Sequence, residues 1–173
     1  MAKFTLKNVR VSFPALFNKA EFDGVATKFE ATLLLDKTSQ ADQIASITKR
    51  MDAFLAEKFP KGAPKSIKRT CFIDGDTKDY SGYENQMAFK GSNQKRPTII
   101  DRDKTPLVEE DGKLEAGDYC NAIVDLWYSD HPKGGKQLLG NLLGVQFVKE
   151  GERFGADTTA SVDEFDEIDD DEF

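Results

Sequence analysis

Hydrophobic and polar positions alternate from Lys3 to Phe13, with Phe4 and Leu6 on one face of an expected strand. Val9, Val11 and Phe13 continue the alternation one residue out of step, so one extra residue near Lys7-Asn8 restores a common face. That is what a β-bulge does, and a long bent first strand suits a closed, strongly curved sheet. Lys28 to Leu35 reads as a second strand, with Phe29, Ala31, Leu33 and Leu35 together. A helix follows. Thr38 or Ser39 caps it, Pro60 and Gly62 stop it, and Ile44, Ile47, Met51, Phe54, Leu55 and Phe59 recur at helical spacing as a core stripe.

From Gly62 to Leu114 only short apolar pieces (Thr70 to Ile73, Gln86 to Phe89, Thr98 to Ile100) interrupt turn-rich stretches. Tyr119 to Tyr128 then sets Cys120, Ala122, Val124, Leu126 and Tyr128 on one face, against Tyr119, Asn121, Ile123, Asp125 and Trp127. A loop from Ser129 to Lys136 leads into a strand, Gln137 to Val148, whose alternation groups Leu139, Leu143, Val145 and Phe147. Gly140 and Gly144 fall opposite, where they let the sheet coil or a ligand approach the backbone. The pattern predicts a mainly β chain with one helix, an oligonucleotide-binding-fold-like β-barrel. The helix sits after the second strong strand, whereas the standard five-stranded barrel carries it after the third. Either a strand lies between Phe13 and Lys28 or the barrel is elaborated.

Charge changes this picture at one end. The 173 residues carry a net charge of −7, but Asp163 to Phe173 reads DEFDEIDDDEF, with eight acids and no base. Without them, 23 acids face 24 bases, so the remaining body is close to neutral at about +1. A self-repelling acidic run reads as a disordered interaction tail. The expected organisation is a binding domain over 1–155 and a tail over 156–173. Phe165, Ile168 and Phe173 give the tail apolar anchors for a partner protein's pocket. No run approaches the roughly 18 apolar residues of a membrane helix, and the N-terminus has no signal-peptide pattern. Cys71 and Cys120 show no metal or redox spacing, so a cytoplasmic protein with reduced thiols is expected.

Catalysis is hard to build here. His131 is the one histidine, and no serine or cysteine sits in a nucleophile motif. Gly134-Gly135-Lys136-Gln137 lacks the spacing of a phosphate loop. Asp74-Gly75-Asp76-Thr77-Lys78-Asp79 lacks that of a calcium loop. No cofactor, metal or small-molecule substrate is expected. Bases interleaved with aromatics are plentiful instead: Lys65, Lys68 and Arg69 before Phe72; Tyr80 and Tyr83 in a Gly- and Asp-rich loop; Phe89 with Lys90, Lys95 and Arg96; Trp127 with Lys133 and Lys136 beyond it. Cations that follow phosphates and rings that stack bases make a single-strand binding surface. Lys65, Lys68, Arg69, Tyr80, Tyr83, Phe89, Lys90, Lys95, Arg96, Trp127, Lys133 and Lys136 are the candidate DNA-contacting residues. A tethered polyanion competes with DNA for such a surface.

The chain resembles the phage single-stranded DNA-binding proteins with an oligonucleotide-binding fold, long known only as a phage domain of unknown function. The resemblance rests on Arg10-Val11-Ser12-Phe13-Pro14 with Leu16-Phe17, Lys28 to Lys37 (KFEATLLLDK), Asp74-Gly75-Asp76, Lys95-Arg96-Pro97, Gly117-Asp118-Tyr119 and Leu143-Gly144-Val145-Gln146-Phe147. It implies sequence-independent binding of single strands in phage DNA replication, recombination or repair, and tail contacts to replication or recombination proteins. Two rivals stand beside it. One is a non-catalytic adaptor whose acidic tail is the functional element. The other is a metal-dependent nuclease accessory, which the scarcity of His and of grouped carboxylates outside the tail opposes.

Overall fold

The extra residue expected near Lys7-Asn8 is present as a bulge in the computed structural model, which describes residues 3–154 and 162–168. In chain order the elements are β1 (Phe4–Ala15), β2 (Glu21–Phe22), β3 (Val25–Ala26), β4 (Phe29–Asp36), α1 (Ala41–Lys58), β5 (Phe72–Asp74), β6 (Gln86–Asn93), β7 (Thr98–Ile100), β8 (Tyr119–His131) and β9 (Gly135–Lys149). Along β1 the pairing steps from Leu6↔Ala122 to Val9↔Cys120, and Asn8 takes a φ of 53° to absorb the surplus residue. Phe4, Leu6, Val9 and Val11 are thereby all buried.

A second shift in β1, between Ser12↔Thr32 and Ala15↔Glu30, was not legible in the alternation. It leaves Ser12 on the outer face with its partner Thr32, buried at 2% exposure beneath Tyr83, and turns Phe13 outward at 61%, correcting the expectation that Phe13 joins Val9 and Val11. The same device acts in β9, where Ile123↔Gly144 is followed by Val124↔Leu142 and Leu143 is the surplus residue. Leu138, Gly140 and Leu142 therefore point inward before the slip, and Val145 and Phe147 after it. Leu139 and Leu143, expected with Val145, lie on the outer face and are only half-buried. The expected Ser129–Lys136 loop shrinks to Pro132-Lys133-Gly134, because pairing continues to His131↔Gly135.

Strands β6, β4, β1, β8 and β9 pair in that order, and β6 returns to β9 in parallel to close a five-stranded barrel. This is the connectivity of an oligonucleotide-binding barrel elaborated by extra elements. No additional barrel strand lies between Phe13 and Lys28. Instead β2 and β3 pair only with each other, and the helix keeps its place after the second barrel strand. Ile47, Met51 and Leu55 of α1 plug the barrel core. Thr38 and Ser39 are not its caps; their N–H groups donate to the Asp36 carboxylate at 2.9 and 2.8 Å, in the turn before the helix.

Both cysteines are free and buried, and burial pushes the Cys71 thiol up to about 12 and that of Cys120 also upward. Asp74 and Asp76 each meet the Lys37 ammonium at 2.6 Å, which lowers both carboxyls from their ordinary value. Among the described residues no group of three or more His, Cys, Asp or Glu side chains could hold a metal ion, and no helix is long and apolar enough to cross a membrane.

The parallel seam is tight. A Cβ on Gly140 would lie 2.7 Å from the Phe89 ring and 3.0 Å from the Lys90 carbonyl oxygen. Gly140→Ala should therefore cost about 1–3 kcal/mol as an overpacked site. A thermal melt unchanged by this substitution would show that the seam yields.

Candidate nucleic-acid interface

The outer face of β4 and β6 carries a small second core. Leu34 alternates away from the barrel interior yet is only 1% exposed, because Ala88, Tyr83, Ile73 and Phe154 cover it. Tyr83 is 3% exposed, and its hydroxyl shares a 2.9 Å hydrogen bond with Ser12 Oγ. Burial raises the Tyr83 phenol above its ordinary pKa. A buried ring with a satisfied polar end anchors the loop between β5 and β6 to the barrel.

On that anchor stand two open rings. Tyr80, 50% exposed, lies 5.1 Å from Tyr83 and 5.3 Å from Phe13, edge to face in both cases. These two rings and Tyr83 wall a groove of about 500 Å³ whose other lining residues include Thr32, Thr70, Lys78 and Lys90. The register shows that it crosses the strands: Ser12 of β1, Thr32 of β4 and Lys90 of β6 form one row, and Phe13, next to Ser12, lines the same groove. Lys90 meets Glu30 at 3.2 Å, an exposed ammonium against a half-buried carboxylate.

Beyond Lys90 the row continues through Thr70 toward the turn between β8 and β9. The Lys68 N–H donates to the Lys136 carbonyl at 3.0 Å, and Leu138 donates back to Lys68 at 2.8 Å. Exposed Lys68 thus lies beside Lys136, distant in sequence, while Lys65 and Lys133 are exposed nearby in the chain on either segment. Arg69 is held by Asp52 of α1 at 2.6 Å.

The other candidates disperse. Lys95 and Arg96 are exposed past the far end of β6, where the Arg96 guanidinium lies 5.3 Å over Phe17. Trp127, 39% exposed, stands on the outer face of β8 opposite Leu139 and does not line the groove. Phe89 is a correction: it is 0% exposed, edge-on to Phe4 at 6.3 Å, and offers no ring face to a ligand. Phe13 and Lys78 were missed. The slip that exposes Phe13 depends on pairing with β4, and Lys78 was absorbed into an apparent acidic turn; its position two residues before Tyr80 was the available signal.

After β9 the chain is strapped back toward these rings. Gly151 N–H and Arg153 both donate to Asp118, a fully buried carboxylate, at 3.2 and 2.7 Å. Arg10 donates to the Glu152 carbonyl and sits 4.2 Å over the Phe154 ring. Gly82, at φ +84°, has no Cβ because one would fall 2.3 Å from that ring. Phe154 shares a hollow with Phe13, Tyr80 and Tyr83. Of the tail anchors, Phe165 and Ile168 are 73% and 68% exposed. Phe173 lies outside the described residues, as does most of 156–173, on which the expected disorder falls.

Structural anchor and open ring should respond differently to truncation. Tyr83→Ala should cost about 3–5 kcal/mol of stability, as for a buried aromatic ring. Tyr80→Ala should cost about 1 kcal/mol, the scale of its ring contacts. Equal losses in thermal melts would contradict the division.

The family model described as Enterobacter phage Enc34, ssDNA-binding protein, matches residues 2–173. Protein p50 of Acyrthosiphon pisum secondary endosymbiont phage 1 is 36% identical over 175 residues, covering 96% of this chain and 94% of that protein. Among solved structures, the single-stranded DNA-binding protein of bacteriophage Enc34 in complex with ssDNA superposes with a TM-score of 0.74 at 22% identity, over 88% of this chain and 89% of that one. The single-stranded DNA-binding protein gp2.5 of bacteriophage T7 gives a TM-score of 0.56 at 11% identity, covering 93% and 98% of the two chains.

Proposed function

This chain belongs to the Enc34 phage family of single-stranded DNA-binding proteins, and we propose that it holds single strands in the groove across β1, β4 and β6. The family is one of binding proteins, not enzymes. The observation that carries the reading is the pair of open rings, Phe13 and Tyr80, fixed edge to face at one end of a groove that also presents Lys78 and Lys90. Rings stack any base, and cations follow any phosphate, so binding is independent of sequence. The strand enters over Phe13 and Tyr80, crosses Thr32 and Lys90, and leaves along Lys68, Lys136 and Lys133. Lys65 and Arg69 flank that exit, and Lys95, Arg96 and Trp127 reach only longer strands.

The role is protection of single strands during phage DNA replication, recombination or repair in the host cytoplasm. In this reading residues 1–155 form the binding domain and 156–173 an acidic tail. The tail competes with DNA for the groove. Through Phe165, Ile168 and Phe173 it also docks replication or recombination proteins. A flexible chain of that length spans roughly 20–25 Å r.m.s., enough to cover the groove. The adaptor reading draws on the exposure of Phe165 and Ile168, and it requires no oligonucleotide binding.

Titration with labelled oligo-dT at several salt concentrations tests the groove. Log K should fall linearly with log salt, and Lys78→Ala or Lys90→Ala should each flatten the slope by about 0.7. Phe13→Ala and Tyr80→Ala should each weaken binding by about 1–3 kcal/mol. A salt-independent affinity, or four variants that bind like the parent, would exclude this surface.

Truncation before Asp163 removes eight negative charges. The shortened protein should bind oligo-dT more tightly at low salt, and added salt should narrow the gap because both competitors are held by screened charge. Equal affinities at low salt would eliminate tail competition and leave only the docking role.

A further inference from the structure

On the side of the barrel formed by β8, β9 and β7, one row of residues crosses four strands. Thr5, Ile123, Gly144 and Thr98 are successive register partners. Gly144 leaves a gap in that row that neither conformation nor packing demands. Its φ is not positive, and a Cβ there would come no closer than 3.6 Å to the Thr98 carbonyl oxygen. The gap opens a groove of about 420 Å³ lined by Ile100, Ile123 and Leu143, with Lys3 and Lys7 as its only charged residues among the described residues. Ile123 is 43% exposed. No residue lines both this groove and the one across β4 and β6.

The same chain carries a complementary segment. Val162 to Ile168 reads VDEFDEI, with four acids and no base. Val162, Phe165 and Ile168 are 87%, 73% and 68% exposed, so no described part of their own chain covers them. Uncovered apolar side chains and an uncovered apolar groove are each costly in water, and their charges have opposite sign.

We infer that this groove receives the Val162–Ile168 segment of a second copy. Phe165 and Ile168 rest on Ile123, Leu143 and Ile100 over the Gly144 gap, and Asp163, Asp166 and Glu167 face Lys3 and Lys7. Such a contact is heterologous, groove to segment, and so joins successive copies in a row rather than closing a symmetric pair. It leaves the β4–β6 face of every copy open to one continuous strand. It does not depend on the DNA-groove reading.

The test uses the full chain. A labelled peptide VDEFDEI, titrated by fluorescence anisotropy at low salt, should bind the protein. Ile123→Glu and Gly144→Leu should each weaken it by about tenfold or more, and Lys3→Glu with Lys7→Glu should also weaken it. Gly144→Leu fills the groove where there is room, so it guards against an Ile123→Glu variant that fails to fold, and thermal melts verify both. Phe13→Ala and Tyr80→Ala should leave peptide binding unchanged. Sedimentation of full-length protein should show concentration-dependent association that Phe165→Ala with Ile168→Ala, or Gly144→Leu, reduces. Oligo-dT affinity of Gly144→Leu at low protein concentration should equal that of the parent, so loss of this contact and loss of DNA binding are read separately. The inference is overturned if peptide binding is absent, is as tight in the Ile123→Glu and Gly144→Leu variants as in the parent, or is lost instead with Lys78→Ala and Lys90→Ala.

Discussion

Everything on the outer surface of this barrel depends on the parallel contact of β6 with β9, at Gly91↔Gly140 and Ser92↔Asn141. Five strongly coiled strands close only if two backbones approach without side chains between them, and both glycines serve that approach. A Cβ on Gly91 would lie 3.1 Å from Leu142, and one on Gly140 would enter the Phe89 ring. Closure removes the sheet edges at β6 and β9 and sends Leu33, Phe89, Val124 and Leu142 into a common interior with no exposed surface. What remains outside is divided into two faces, β4–β6 on one side and β8–β9–β7 on the other.

The irregular positions of the strands do the functional sorting. Each surplus residue exchanges inside for outside, because side chains alternate with a period of two. The slip after Ser12 delivers Phe13 to solvent beside Tyr80, and the slip at Leu143 delivers an apolar side chain to the groove over Gly144. A regular β1 would bury Phe13 and leave the β4–β6 groove with one open ring.

Rigidity and access are divided between neighbouring residues. Tyr83 is buried and hydrogen-bonded so that Tyr80, three residues earlier, stands open on a fixed base. The strap from Gly151 to Phe154 closes the same outer core through Asp118 and Arg10. The overall charge of −7 describes neither part: a nearly neutral body with local cationic banks is joined to a polyanion.

Local pattern by itself determined the elements whose cause is local. The β1 bulge follows from a parity slip between Leu6 and Val9, the helix from its 3.6-residue stripe and Pro60, and the strands of β4 and β8 from their alternation. The barrel followed from these, and the family from short motifs in order. The charge split between body and tail was likewise countable residue by residue. Tertiary pairing decided the rest. Phe89 and Leu34 belong to strands with similar local patterns, yet one is barrel core and the other is covered only because Tyr83 and Phe154 arrive from distant segments. Phe13 and Leu143 change face at slips that exist only relative to a partner strand. Lys68 meets Lys136, and Thr5, Ile123, Gly144 and Thr98 fall into one row, because hydrogen-bond register sets which distant residues become neighbours. Register is a property of two strands together, and no single stretch of sequence contains it.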